Sequence, residues 1–443
     1  MNKLTRSVFS MAISLALLGG SVAANAAVNV QCPGDKDGDA AWNAKNEKAP
    51  GEKGGPPANT KCMHLIAGDS FVKMSDDNPL YTFGFGDQTG TPPEDVIAEG
   101  ILDGEWPGPT VELEQGDEFY LSLSNVGTVI RPDLFDPHTV HFHGFPNAAS
   151  VFDGVPEVSM SINMGATLTY YYNIVEPGTY IYHCHVEATE HMEMGMLANL
   201  YVHPAQDRNG CASGGCPVGG RMGGPAGAPE GYTYNDDDGT TGWDVEKAIQ
   251  VSSFDGAFHD ASLFVQPLPF AALESTYPQM NGRGYPDNLV AGELPAPEDN
   301  TAPITVGGVE LHPAGKVQGG GVLNNGTSTQ TLDSVVEVDA GDKLLLRLSN
   351  VSVDRFFTLT AQGLTMQIVG TGARHMRGTG GKNVYQDTAS VNFGGGETHD
   401  VLIDIPAAAT SGTTYFLYST ELHQMSNLTQ LDGGMITEIV VVN

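Results

Sequence analysis

The 443-residue chain is short of positive charge: 20 Lys and Arg stand against 53 Asp and Glu, a formal net charge of −33 at pH 7. That balance argues against nucleic acid as a partner, because a phosphate backbone would be repelled. It serves solubility as well as it serves attraction of metal ions or a basic redox protein. The chain also lacks an apolar run of the roughly 20 residues that cross a bilayer as a helix, so no membrane span is expected. Its apolar stretch Val8 to Leu18 is too short for one; it follows Lys3 and Arg6 and leads to Ala24-Asn25-Ala26. This is the layout of a secretory signal with a small-residue cleavage site. Residues 1–26 are expected to be a signal peptide and the remainder an exported protein, periplasmic or secreted. The cleavage point carries no cysteine, which argues against a lipid anchor.

Cysteine is scarce, five in all. If Cys184 binds a metal, Cys32, Cys62, Cys211 and Cys216 remain, and an exported protein permits disulfides. The local choice is Cys32–Cys62 with Cys211–Cys216, although four cysteines allow three connectivities. For the loop CASGGC the alternative is a second metal site, for which nearby histidines are few. Helical periodicity is missing as well. From about Met63 the chain reads as short alternating strands split by Gly, Pro and Asn, with Leu80–Phe85 and Val111–Ser124 as clear examples. An all-β fold is expected. Residues 27–63 read as a polar N-terminal arm. Its acidic run Asp35–Asp39 lacks the distal Glu of a calcium loop and reads as a solvated turn.

Against these absences stands one dense stretch, Asp136 to Met196, with six of the thirteen histidines: PHTVHFHG at 137–144 and HCHVEATEHMEMGM at 183–196. Residues two apart on a strand share a face and odd spacings do not. His183 and His185 therefore point one way and Cys184 the other. His141 and His143 share a face, and His138, three positions earlier, falls opposite if the strand stays regular. Two sites back to back are expected: His138, Cys184, His191 and Met196 in one, His141, His143, His183 and His185 in the other. Two His, one Cys and a weak axial Met are the ligands of a blue copper site, and further imidazoles suit Cu(II) or Zn. A structural zinc site needs four ligands on one metal, which the alternation splits. The carboxylates Glu187, Glu190 and Glu193 could steer a cationic reductant, or simply face solvent.

The second half repeats the first. VELEQGDEFYLSLSN at 111–125 matches VEVDAGDKLLLRLSN at 336–350; GTYIYHCH at 178–185 matches TTYFLYST at 413–420; GMLANLYV at 195–202 matches GMITEIVV at 434–441. A repeat of this length means two copies of one domain, each an antiparallel sandwich. The organisation expected is a copper-binding domain at 64–204, a Gly-rich linker at 205–244 and a second domain at 245–443. Opposite His183, Cys184 and His185 the second copy has Tyr418, Ser419 and Thr420, and opposite HTVHFH it has no histidine. The second domain should bind no copper by its own motifs.

These motifs, with GEWPGPTVELEQGD at 104–117 and NGRGYPDN at 281–288, resemble those of the multicopper oxidases, over roughly residues 64–443. The resemblance implies two cupredoxin-like Greek-key β-sandwiches. It implies a type 1 copper on His138, Cys184, His191 and Met196, and part of a type 2/type 3 copper cluster on His141, His143, His183 and His185. By family chemistry a small reductant or metal ion gives electrons at His191. They pass through Cys184 to the cluster, where dioxygen becomes water. A redox partner protein is compatible with this, and family analogy favours a homotrimer. The sequence departs from the family in two respects: its Cys184-x6-His191-x4-Met196 loop is longer than in typical three-domain laccases and shorter than in copper nitrite reductases, and where the family's cluster uses eight histidines this chain shows four. Another subunit could complete it, or scattered histidines such as His375, His399 and His423. Otherwise the protein is an electron carrier, a copper-binding protein or a nitrite-reductase-like copper enzyme.

Overall fold

The alternating stretch Val111–Ser124 is two strands rather than one. The first sandwich consists of β1 (Thr60–Lys73), β2 (Pro79–Asp87), β3 (Val111–Glu114), β4 (Glu118–Gly127), β5 (His141–His143), β6 (Thr167–Asn173), β7 (Gly178–His183) and β8 (Leu197–His203). The chain turns between β3 and β4 at Gly116, whose φ of 97° favours glycine. Asp117 closes the turn: its amide donates to the carbonyl of Glu114, and its carboxylate accepts the Glu114 amide. The two halves thus enter different sheets, ordered β2-β1-β4-β6 and β3-β8-β7-β5. The computed structural model describes residues 28–146, 148–299, 304–306, 309–312, 317 and 320–443; the expected signal peptide lies outside them.

Between the sheets lies an aromatic core that includes Phe83, Phe119, Phe142, Tyr170, Tyr172 and Tyr182, and Cys184 and Met196 belong to it. The second sandwich repeats the plan. Val245–Phe254 runs parallel to Lys343–Asn350 as β1 does to β4, and Val336–Val338 runs parallel to Ile436–Val441 as β3 does to β8. The fold is all-β and cupredoxin-like. Both expected disulfides, Cys32–Cys62 and Cys211–Cys216, are present. The acidic run near the N-terminus is less solvated than its composition suggests, because Asp39 is buried and accepts from Ala41 and Asn43. Residues 205–244 also pack: they hold a helical turn, Ala205–Asn209, and a strand pair, Gly231–Tyr232 with Gly242–Trp243, whose Tyr232 is fully buried. Among the described residues, no helix is long and apolar enough to cross a membrane.

The sandwiches are joined through a buried charge. Arg347 is wholly enclosed, paired with Glu246 and Asp400, bonded to Thr179 of β7 and set over the Tyr201 ring of β8. Removing the guanidinium leaves the buried Asp400 and the partly buried Glu246 without their cation. Arg347→Leu should lower the unfolding free energy by about 3–5 kcal/mol, measured by chemical denaturation.

His64 in β1 is fully buried against Ser124, and burial lowers its pKa to about 4. The unfolded chain takes up this proton near pH 6.5, so stability is present above that value and is lost as pH falls toward 4. His64→Gln should remove on the order of 3 kcal/mol from that acid-side loss, read from denaturation midpoints at pH 7 and pH 4.

Candidate metal centre

β7 ends at His183, and the chain leaves the sheet at Cys184. Backbone bonds then fix the loop from Cys184 to Met196. The Cys184 amide donates to the carbonyl of Met196 (3.0 Å), and the Met196 amide donates to the carbonyl of His191 (2.8 Å). The helical turn Ala188–Glu193 carries His191 over the strand end. His138 lies before β5, held by a two-way backbone bridge to Ile162. It is therefore placed by that bridge and not by strand alternation. Cys184 Sγ comes to lie 3.3 Å from His191 Nδ1 and 3.8 Å from His138 Nδ1. All three side chains are buried, as is Met196 in the same core.

Burial governs the electrostatics of this group. It holds His138 well below its ordinary pKa, helped by His191, and it lowers His191 to about 4. Both imidazoles are neutral donors at neutral pH. Burial pushes the Cys184 thiol up to about 11, so without a cation the sulfur keeps its proton, and a metal must displace it. The three ligand atoms lie within 4.8 Å of one another. One thiolate and two imidazole nitrogens around one point, with a buried Met beside them, fit a single copper ion.

The other histidines gather on the opposite side of Cys184. His141 stands directly across from His183 in the β5–β7 pairing. The rings of His141, His143, His183 and His185 have centroid separations of 5.1–6.0 Å in the close pairs. His141 Nδ1 donates to the carbonyl of Asp153, and His183 Nδ1 to that of Cys184. Because a carbonyl only accepts, both rings carry the proton on Nδ1 and leave Nε2 free for a metal. Burial lowers the His183 pKa to about 3.

The quartet opens into a cavity of about 560 Å³ whose far wall is Ser352, Asp354, Arg355 and Gly394–Glu397 of the second sandwich. Among the described residues that wall supplies no imidazole. His375 is stacked on Tyr234, His399 packs against Phe393, and His423 is exposed beside Glu421; none lines the cavity. The quartet can hold copper, but a three-copper cluster on eight histidines does not fit what these two walls provide.

The second sandwich contains a counterpart to the Cys184 site that residue-by-residue matching does not reveal in full. Thr360 opposes Tyr418 as His141 opposes His183. In that register Phe357 replaces His138, and Ser419 replaces Cys184. The Ser419 amide donates to the carbonyl of Met435 (3.2 Å), and the Met435 amide donates to that of Gln424 (2.8 Å). Gln424 is thus the counterpart of His191, hidden in sequence by a loop of different length. Ser419 Oγ donates to Gln424 Oε1 at 2.6 Å. Where the first sandwich has ligands, the second has a hydrogen bond. One further reading changes: Glu193 is buried, not solvated. It accepts the Asp255 amide, and burial raises its pKa well above the usual range, so it adds no steering charge.

Two family models described as Multicopper oxidase match residues 89–207 and 299–443, together more than half of the chain. The chain is 36% identical over 105 residues to the iron transport multicopper oxidase fetC of Epichloe festucae, covering 23% of this chain and 15% of that protein. It is 32% identical over 114 residues to the L-ascorbate oxidase of Cucumis sativus, covering 24% of this chain and 17% of that one. These matches span less than a fifth of either relative. The blue copper oxidase from Nitrosomonas europaea aligns with a TM-score of 0.56 over 86% of both chains at 18% identity. A copper-containing nitrite reductase from Thermus scotoductus SA-01 aligns with a TM-score of 0.52 over 86% of this chain and 62% of that one, at 15% identity. At such identities the likeness is one of fold.

Copper held by this donor set would take its colour from Cys184. Cys184→Ser should abolish the visible thiolate-to-copper absorption while the far-ultraviolet circular dichroism stays that of an intact β-fold. A variant that kept its colour would place the copper elsewhere.

Proposed function

The chain belongs to the multicopper oxidase family and its cofactor is copper, and on that premise we propose that it is a copper-dependent oxidase of a small reductant or metal ion. In this reading His138, Cys184, His191 and Met196 hold a type 1 copper, and His141, His143, His183 and His185 hold type 2/type 3 copper. The observation that carries it is the position of Cys184. Its sulfur faces His138 and His191, while its chain neighbours His183 and His185 belong to the quartet. Copper held by the two sets would supply one-electron redox chemistry, linking a reductant near His191 to dioxygen beside the quartet.

The chain's own residues prepare this. Burial of Cys184 keeps water from the thiolate. The carbonyls of Asp153 and Cys184 hold His141 and His183 in the tautomer that presents Nε2. The cavity beside the quartet has room for dioxygen and its products. His191, between the sulfur and the loop, is the port through which electrons come in. Export by the 1–26 segment, a homo-oligomer (trimeric by family analogy) and a possible protein reductant belong to the same proposal.

A second reading has a specific observation behind it, since the cavity wall facing the quartet offers no imidazole among the described residues. It makes the protein a blue copper electron carrier or copper-binding protein, or a nitrite-reductase-like enzyme with a simpler second centre. Copper analysis of the purified protein with its spectrum and an oxygen electrode separates the two. The oxidase reading expects the visible band, more than one copper per chain, and oxygen uptake with an added hydroquinone or metal-ion reductant. One copper per chain without oxygen uptake would sink it, and nitrite consumption in place of oxygen would favour the reductase.

A further inference from the structure

His143 has little support from its own sandwich. It is the last residue of β5, it is exposed, and Gly144 follows it. Carbonyls of the first sandwich hold the rings of His141 and His183. Among the described residues, no group of that sandwich bonds the ring of His143. Its support comes from across the cavity. Gly396 of the second sandwich lies against the ring, and its backbone accepts a hydrogen bond from it. Gly396 has φ 84°, the left-handed region that favours glycine. A methyl group added there would stand 2.9 Å from Cε1 of His143 and 3.3 Å from Nε2, inside the roughly 3.5–4.0 Å at which carbon atoms pack. The turn that carries Gly396 is fixed. Its amide donates to the carbonyl of Asn350 (2.9 Å), the Asn350 amide donates to the carbonyl of Glu397 (3.0 Å), and the Gly394 amide donates to the Glu397 carboxylate (2.6 Å). Asn350 is fully buried and also binds the carbonyls of Arg355 and Phe393. A side chain at Gly395 would run into the carbonyl of Ser352.

We propose that Gly396 is a positioning residue for the second copper centre: because it has no side chain, the turn closes on His143 and holds that imidazole in the quartet. This rests on the reading that the quartet binds copper. Among the described residues the second sandwich offers no imidazole of its own here, but it sets the direction of one that the first sandwich supplies. Groups that hold a ligand imidazole from behind are typically worth about 10–100-fold in metal affinity. The Asp153 and Cys184 carbonyls do this for His141 and His183 from within the first sandwich; Gly396 does it for His143 from the second.

The test compares Gly396→Ala with Gly363→Ala in the full-length chain. Gly363 also has positive φ, 76°, but an added methyl there meets nothing within 4 Å. Both variants carry the backbone strain, and one carries the contact. In metal-free protein the His143 ring signals of a long-range proton–nitrogen spectrum, assigned with His143→Ala, should shift in Gly396→Ala and stay in place in Gly363→Ala. After copper loading, competition with a chelator should show the quartet copper of Gly396→Ala held roughly tenfold or more weaker, with the visible band unchanged. Wild-type ring signals or wild-type copper affinity in Gly396→Ala overturns the proposal, and so does an equal effect in Gly363→Ala. If Gly396→Ala does not fold, Gly396→Ala/His143→Ala decides, since removing the ring makes room for the methyl: recovered folding supports the contact and continued failure overturns it. If the ring signals shift as expected while wild type takes up a single copper, the contact between Gly396 and His143 stands and the copper reading of the quartet falls.

Discussion

A buried thiol and two buried imidazoles meeting at one point are the constraint on which the first sandwich depends. Buried polar groups need partners, and here the partners available are chiefly one another. Taking them out of water keeps the imidazoles neutral and the thiol protonated. This is also the state in which a soft cation can enter by displacing one proton. The chain around them is correspondingly fixed. The Cys184–Met196–His191 backbone bonds set the loop, the His138–Ile162 bridge sets the approach from the other side, and the aromatic core packs beneath. A metal bound there would satisfy these buried groups as well as supply redox chemistry.

The second sandwich shows the same scaffold with the constraint met differently. Ser419, Gln424 and Met435 repeat the backbone bonds of Cys184, His191 and Met196. A serine-to-glutamine hydrogen bond stands at the positions of Cys184 and His191, and three residues before the strand position matching His141 the second copy has the buried Phe357. Function in this fold therefore lies in a few side chains and not in the sandwich itself. Freed from holding copper at that position, the second copy contributes Arg347 and Asp400 to the joint between the sandwiches. It also supplies the charged wall that faces the quartet.

Strand alternation was enough to foresee that His183 and His185 would part company with Cys184, because β7 runs straight up to that motif. The β-rich architecture and the internal repeat were equally legible. Other features were not, for reasons that can be named. His138 precedes its strand, so parity could not place it; the backbone bridge to Ile162 does. Val111–Ser124 keeps strand-like alternation at both ends, yet the polar run Gln115-Gly116-Asp117-Glu118 between them is a turn that carries the chain from one sheet into the other, fixed by the Gly116 φ and the Asp117 bonds. Glu193 looks like a surface acid until the Asp255 amide of the second sandwich closes over it. Gln424 is concealed by a change in loop length, which residue-by-residue matching cannot track but backbone bonding can.

The separation of the two histidine sets by a single residue also fixes how they communicate. Cys184 is bonded through its own backbone to both His183 and His185, so the distance between the sulfur and the quartet is set by covalent geometry. It does not depend on how the two sandwiches sit or on how many chains assemble. The completion of the quartet does depend on these, since its open side looks across a cavity to residues of different chemistry, Asp354, Arg355 and Glu397. The link between the Cys184 set and the quartet, and the completion of the quartet, are thus under separate structural control. Substitutions in the far wall should alter what the second centre can bind while leaving the colour of the first untouched, because none of those residues touches the Cys184 set.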